Sequence, residues 1–239
     1  MKAMVLCAGR GTRMGGLSDD LPKPLLDIHG RPILDRILAN LARWGFRDVV
    51  LNLHHHGDQI RAFAGDGSRW GVRIRFRSEP ALVGTAGSVR DAAPLLAGPD
   101  PVLVHYGDVV TDQDLGALVR IHQAGQALAT LLLHRRPGSN SVVVVDQRWR
   151  VLRLLERPSE AERRGVDSPW VNSGVYLLDP SLPGSLPGPG PLDFPRDVFP
   201  GLVAQGRVLG VPLTGYRCAI DSPERLERAR AELKGTPWP

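Results

Sequence analysis

Over its first 135 residues the chain alternates short apolar runs with stretches of helical periodicity, and this alternation constrains its architecture more than any other feature. Residues 3–6 form a compact apolar run that ends in glycines, as a buried strand feeding a loop would. Ile33, Ile37, Leu38, Leu41 and Trp44 recur at spacings of three and four, which predicts an amphipathic helix over 33–44 closed by Gly45. The same reading gives strands at 48–53, 72–76, 102–106 and 127–134, and helices at 57–64, 85–96 and 112–123, with Asp112 capping the last. Parallel neighbours in a sheet cannot be joined by a tight turn and need a crossover, usually a helix. The pattern therefore implies an α/β fold with a mostly parallel sheet and helices on both faces.

Beyond residue 135 the pattern changes. Strands are expected at 142–145, 151–155 and 171–178 with no useful helix between them, which adds an antiparallel part to the sheet. Residues 180–192 are rich in Pro and Gly and read as an irregular surface loop. A helix at 195–204, a strand at 207–213 and a helix at 223–233 follow. A chain of 239 residues suits one domain.

Composition narrows the partners. Aromatic residues make up 5% of the chain, too few for a stacking surface for single-stranded nucleic acid. The net charge of +5 suits anionic partners such as nucleotides, sugar phosphates or nucleic acid, or simply a solvated arginine-rich surface. Among 30 basic residues only Lys2, Lys23 and Lys234 are lysines, so an interior lysine is informative. Cys7 and Cys218 form no Cys-x-x-Cys pair, which excludes a cysteine-built zinc site and suits a reducing cytoplasm. No stretch is long and apolar enough for a signal peptide or membrane helix, so a soluble, cytoplasmic protein with no membrane partner is expected.

Four segments carry chemistry. Gly9-Arg10-Gly11-Thr12-Arg13-Met14-Gly15-Gly16 directly follows the first strand, where glycines let backbone N–H groups approach phosphate oxygens. It lacks the Gly-Lys-Ser/Thr ending of a Walker A loop, and a tight structural turn is the plainer reading of the glycines alone. Arg13 adds a charged, planar fork suited to a di- or triphosphate. Lys23 stands between Pro22 and Pro24, which stiffen the backbone that aims it. Asp108 follows the strand ending at Tyr106, and ligands of open α/β sheets bind outside such carboxyl ends. A carboxylate there can hold Mg²⁺ against a phosphate. His54-His55-His56 project in different directions from a strand end and chelate poorly as a set.

Leu6-Cys7-Ala8-Gly9-Arg10-Gly11-Thr12-Arg13-Met14 followed by Leu21-Pro22-Lys23-Pro24-Leu25 resembles the signature loop of the sugar-1-phosphate nucleotidylyltransferases. The resemblance runs from Met1 to about Ala231 and implies a Rossmann-like, three-layer fold of the nucleotide-diphospho-sugar transferase type. It implies that Leu6, Ala8, Gly9, Gly11, Thr12 and Arg13 contact the nucleotide, with Arg13 and Lys23 as the catalytic cations. The segment Glu79-Pro80-Ala81-Leu82-Val83-Gly84-Thr85-Ala86-Gly87 is similar to the family's Leu-Gly-Thr-Ala-Gly, which adds Gly84, Thr85 and Gly87 to the nucleotide set. Glu156-Arg157-Pro158 resembles Glu-Lys-Pro, and Asn172-Ser173-Gly174-Val175-Tyr176 resembles Asn-x-Gly-x-Tyr. They imply a sugar-phosphate set of Tyr106, Glu156, Arg157, Asn172 and Gly174, with 1–135 as the nucleotide half and 136–239 as the sugar half.

One departure concerns the metal. Relatives carry a second metal aspartate where this chain has Ala219, and Asp221 lies two residues on, about 6–7 Å away at strand rise. The resemblance implies Mg²⁺ as the cofactor, held by Asp108 with Asp221 standing in for the second aspartate, or by Asp108 with phosphates and water alone; weakened or lost activity is the third alternative. The implied reaction joins a nucleoside triphosphate, GTP ahead of UTP or dTTP, to a sugar 1-phosphate with loss of pyrophosphate, by a monomer or homodimer. The alternatives are a non-catalytic nucleotide-sugar sensor, suggested by Ala219, and a transferase for a cyclitol phosphate.

Overall fold

The computed structural model describes residues 1–239 apart from Arg13, Pro237 and Pro239. The chain resolves into two compact units, each built from separated segments. The first comprises residues 1–82, 104–114 and 215–239, and the second residues 83–103 and 115–214.

In the first unit Lys2–Leu6 pairs in parallel with Asp48–Leu53, which pairs in parallel with Arg73–Ser78. The helices Ile33–Arg43 and Gly57–Ala64 are the crossovers that the alternation predicted. Ile33, Leu34, Ile37, Leu38 and Leu41 of the first helix are buried, so its apolar stripe faces the sheet. Asn40 on that helix is also buried and donates to the carbonyls of Thr111 and Gln113. Those acceptors lie at and just beyond the end of a short strand, Val109–Thr111, which pairs antiparallel with Arg217–Ala219. Pro223–Glu232 ends the unit as a helix whose Ser222 side chain accepts the Arg225 N–H.

In the second unit Ala129–Arg135 is flanked by Val208–Pro212, parallel to it, and Trp170–Leu178, antiparallel to it. Ser141–Val145 and Val151–Glu156 form an antiparallel pair, as the strand run without helices implied. Tyr176, Phe194 and Phe199 meet edge-on and stacked in the interior.

Three expectations need correction. The helix expected from residue 112 starts at Leu115, because Val109–Thr111 extends as strand. Asp112 does not cap it: its Oδ1 accepts the Tyr216 N–H at 2.6 Å and braces the entry to Arg217–Ala219. Residues 180–192 are not a plain surface loop. Leu182–Ser185 makes a helical turn, and Leu182, Pro183 and Leu186 are buried, since leucines spaced among the prolines have apolar surface to hide.

Candidate functional site

Met14, fully buried, anchors the glycine-rich loop after Lys2–Leu6. Successive turns close it, with Met14 N–H on Gly11 O at 2.9 Å and Leu17 N–H on Met14 O at 3.1 Å. The glycines differ in what they are for. Gly11 has φ +70°, and a Cβ there would meet Ser18 Cβ at 2.7 Å and Lys23 Cγ at 3.2 Å, so the fold itself requires glycine. A Cβ on Gly9 would meet nothing within 4 Å. Gly9 is exposed, and no internal contact explains its lack of a side chain. The open space beside its backbone is what a phosphate needs for close approach. Leu6 and Ala8 hold the strand end, and Thr12 is exposed at the loop tip. Arg13 lies outside the described residues.

Pro22, at φ −65° and ψ 141°, delivers the chain into a short 3₁₀ turn, Lys23–Leu25. The turn is closed by Leu25 N–H on Pro22 O at 2.8 Å and Leu26 N–H on Lys23 O at 3.0 Å. Lys23 Nζ lies 3.3 Å from Asp108 Oδ2, with side-chain exposures of 11% and 26%. Residues 85 apart are thus joined in a charge pair that solvent still reaches. Gly107 makes this possible. Its N–H donates to Leu6 O at 2.9 Å, and a Cβ there would lie 2.6 Å from that oxygen and 3.2 Å from Cys7 Sγ. Burial, and secondarily the charge of Asp108, push the Cys7 thiol well above its ordinary pKa, so it stays a neutral packing group.

The metal position can be judged on its donors. Ile220 N–H donates to Asp108 O at 2.7 Å, and Ala219 pairs with Val109 in the adjoining register. Ala219 therefore stands next to Asp108 but supplies no oxygen. Asp221 Oδ1 faces Arg225 Nε at 3.2 Å, an ion pair within the start of the following helix. No three His, Cys, Asp or Glu side chains among the described residues converge to enclose a metal. That donor set fits Mg²⁺ held by Asp108 together with substrate phosphates and water, a mode this ion commonly adopts.

The remaining expected residues, Tyr106 apart, lie in the second unit. A Cβ on Gly84, at φ +77°, would collide with the backbone of Leu192. Leu192 O accepts the N–H groups of Ala86 and Gly87 at 2.9 and 3.0 Å. Thr85 Oγ1 donates to Asp193 Oδ1 at 2.8 Å and accepts the Phe194 N–H at 2.9 Å. Thr85 and Gly87 thus lock this helix start onto residues 192–194. Glu156 Oε2 accepts from the Ser141 hydroxyl, and Oε1 lies 3.9 Å from Arg157 Nε. Arg157 has φ +51° and a largely exposed side chain. Asn172 Nδ2 donates to Tyr176 Oη at 2.9 Å, and its Oδ1 accepts the Gly174 N–H at 3.0 Å, within an irregularity of the strand ladder. Tyr106 is half-buried at the end of Val102–Tyr106, in the first unit.

Comparison with known proteins gives this arrangement a family. The pattern of the nucleotidyl transferases matches residues 2–210. The chain belongs to the nucleotidyl transferase family. It is 49% identical, over 97% of both chains, to the N-acetylmuramate alpha-1-phosphate uridylyltransferase of Neisseria meningitidis. It is 31% identical to the UTP–glucose-1-phosphate uridylyltransferase of Synechocystis, matching 86% of this chain and 56% of that one. It is also 31% identical to the mannose-1-phosphate guanylyltransferase of Mycobacterium tuberculosis, matching 97% of this chain and 64% of the relative. The chain therefore spans less than two thirds of the length of these last two. A Bacillus anthracis chain named provisionally as a glucose-1-phosphate thymidylyltransferase superposes with a TM-score of 0.88 at 20% identity, over 100% of this chain and 97% of that one. HddC from Yersinia pseudotuberculosis gives 0.80 at 22%, over 97% and 99%. These likenesses show the fold expected from the sequence, a mixed α/β sheet of the nucleotide-diphospho-sugar transferase type.

Other buried residues behind the loop take no role from any motif of the sequence. Asn52, next to last in the strand Asp48–Leu53, is 2% exposed, with Oδ1 accepting the Cys7 N–H at 2.7 Å. Glu79 beneath it is 5% exposed. The histidines serve as braces: His54 Nδ1 meets Glu79 O at 2.9 Å, and His56 Nε2 donates to Asp19 O at 2.7 Å. Gln59 Nε2 donates to Asp20 O at 2.8 Å, so this helix start holds the far arm of the loop. The available signal was an amide inside the apolar run Val49-Val50-Leu51-Asn52-Leu53, because a buried amide must find partners. A separate groove of about 460 Å³ is lined by Arg31, Asp35, Phe63, Arg69 and Trp70. Asp35 already accepts from Arg31 Nε and Trp70 Nε1, and Arg69 lies over both aromatic rings. No helix among the described residues is long and apolar enough to cross a membrane.

Proposed function

We propose that the protein joins UTP to a muramate-type sugar 1-phosphate, giving a UDP-sugar and pyrophosphate. The observation that carries the transfer reaction is Lys23 held 3.3 Å from Asp108 beside a loop left open at Gly9. The choice of substrates rests on the 49% identity, over nearly the full length of both chains, to a uridylyltransferase for N-acetylmuramate alpha-1-phosphate. On that ground the reading puts UTP ahead of GTP, the reverse of the order expected from the sequence.

A phosphate oxygen of the sugar 1-phosphate attacks the α-phosphorus of the nucleotide. The new P–O bond forms as the bond to the β-phosphate breaks, and pyrophosphate leaves with the electron pair. The nucleophile is already an anion, so no general base is required and no enzyme-bound intermediate forms. Loop N–H groups and Lys23 balance the charge that gathers around the α-phosphorus, with Arg13 joining them on the strength of its place in the loop motif. Members of the family generally use a divalent metal. Asp108 would hold Mg²⁺, which would supply charge neutralisation at the phosphates. Asp221 would contribute from a carboxylate whose Oδ1 already faces Arg225. Glu156, Arg157, Asn172 and Gly174 are assigned to the sugar phosphate, and two buried free thiols suit a cytoplasmic setting.

The test is pyrophosphate release with Mg²⁺ across UTP, GTP, dTTP, CTP and ATP. Each would be paired with the 1-phosphates of N-acetylmuramate, mannose and glucose. UTP with N-acetylmuramate α-1-phosphate should be fastest. Binding of UDP-sugars without turnover of any pair would overturn the reading in favour of a sensor.

A further inference from the structure

The ladder between Lys2–Leu6 and Asp48–Leu53 ends at the pair Leu6 and Asn52. The next donor, the Cys7 N–H, has passed the end of the ladder just where the glycine loop departs. The Asn52 side chain takes it, with Oδ1 accepting at 2.7 Å. Its Nδ2 donates to Glu79 Oε1 at 2.9 Å. A carboxylate can only accept and a backbone N–H can only donate, so one orientation of the amide satisfies both. Glu79 is held in turn by its own N–H on Leu53 O at 2.7 Å and by His54 on its carbonyl at 2.9 Å. Its Oε2 is buried and has no hydrogen-bond partner, so Asn52 is the carboxylate's one hydrogen-bonding contact among the described residues. A buried carboxylate with a single partner is a costly way to fill space. What it achieves here is a fixed amide.

We propose that Asn52 is a positioning residue for the nucleotide loop, with Glu79 setting its orientation. Asn52 governs the angle at which the chain leaves the strand at Cys7, and thereby where the Gly9 backbone stands relative to Lys23. The proposal rests on the reading of the loop as the triphosphate site. Displacement of a positioned group by about 1 Å can lower turnover on the order of a hundredfold, so a side chain that touches no substrate can control the rate.

A polarity swap tests it. Asn52→Asp removes the donor to Glu79 and sets two carboxyl groups against each other. Asn52→Asp combined with Glu79→Gln restores the pattern in reverse: Gln donates to Asp, and Asp still accepts the Cys7 N–H. Asn52→Ser, neutral and smaller, serves if the carboxyl pair prevents folding. Two quantities are measured in each folded variant: pyrophosphate release from UTP, and amide hydrogen exchange in the segment starting at Cys7. Both single variants should lose about a hundredfold in kcat, with KM for the sugar 1-phosphate unchanged and exchange at Cys7 at least tenfold faster. The swap should return kcat to within about tenfold of the wild type and slow the exchange again. Wild-type rates and exchange in the single variants would overturn the proposal, as would a swap that rescues neither. Exchange needs no substrate, so a wild-type protein inert toward every triphosphate would defeat the transferase reading and leave the clamp to be judged separately.

Discussion

Gly107→Ala tests how the charge pair is built. Gly107 carries no charge and precedes Asp108, yet a methyl there would lie 2.6 Å from Leu6 O and 3.2 Å from Cys7 Sγ. To reach ordinary contact, 3.4 Å or more, the two backbones must part by about 0.8 Å in a close-packed interior. That movement strains the Gly107 N–H bond to Leu6 O and carries Asp108 away from Lys23. Overpacking of this kind costs about 1–3 kcal/mol of stability. At this chain length each kcal/mol lowers Tm by roughly 2–4 °C. The displacement approaches the 1 Å scale at which turnover falls about a hundredfold, equivalent to about 2.7 kcal/mol in the barrier. The assay is kcat for pyrophosphate release under saturating UTP, sugar 1-phosphate and Mg²⁺, at a temperature where melting curves show the variant folded. A folded variant with wild-type Tm and a kcat within about threefold of the parent would refute the idea that this contact sets the position of Asp108.

Other outcomes follow from the same geometry. Gly9→Ala meets no protein atom, so its Tm should stay within about 2 °C of wild type while KM for UTP rises at least about tenfold, because the methyl enters phosphate space; an unchanged KM would refute that use of Gly9. Ala219→Asp supplies the missing oxygen one register step from Asp108, and the Mg²⁺ concentration for half-maximal activity should fall severalfold; an unchanged requirement would remove Ala219 from the metal argument. Burial holds the His105 pKa down at about 4, so the folded chain stays neutral there while the unfolded chain takes up a proton below about 6.5. Stability is therefore full above about pH 6.5 and falls toward pH 4, by up to about 3 kcal/mol from this group, and His105→Gln should flatten that part of the denaturation profile.

Much of this was legible in the sequence for a physical reason. Apolar periodicity is imposed by the sheet and helix geometry that buries it, so Asp48–Leu53 and Gly57–Ala64 appear with the bounds the pattern gave. Lys23 and Asp108 stood out because proline bracing and a strand tip are local signals. What stayed hidden depends on contacts between distant segments. An amide in an apolar run says that Asn52 needs partners, but nothing near it in the sequence names Cys7 and Glu79. Three histidines in a row chelate poorly as a set, but only the fold shows that His54 and His56 are engaged with backbone carbonyls. Thr85 and Gly87 read as nucleotide contacts from their motif, and only the placement of Leu192–Phe194 shows how firmly they are engaged within the protein.

The discontinuity of the first unit has a consequence for how the protein comes into being. The strand after Asp108 has its partner at Arg217–Ala219, and the Asp108 carbonyl is satisfied by Ile220, 112 residues further on. A chain emerging from the ribosome can form the phosphate loop early, but it must wait for residue 220 before the carboxylate strand is fully paired. Contacts of such long reach are slow to close, and an unpaired edge is exposed meanwhile. A nascent chain halted at residue 214 would hold most of the nucleotide loop's scaffold while lacking the edge that completes the Asp108 strand. The competent site is thus, in effect, licensed by the arrival of residues 217–220.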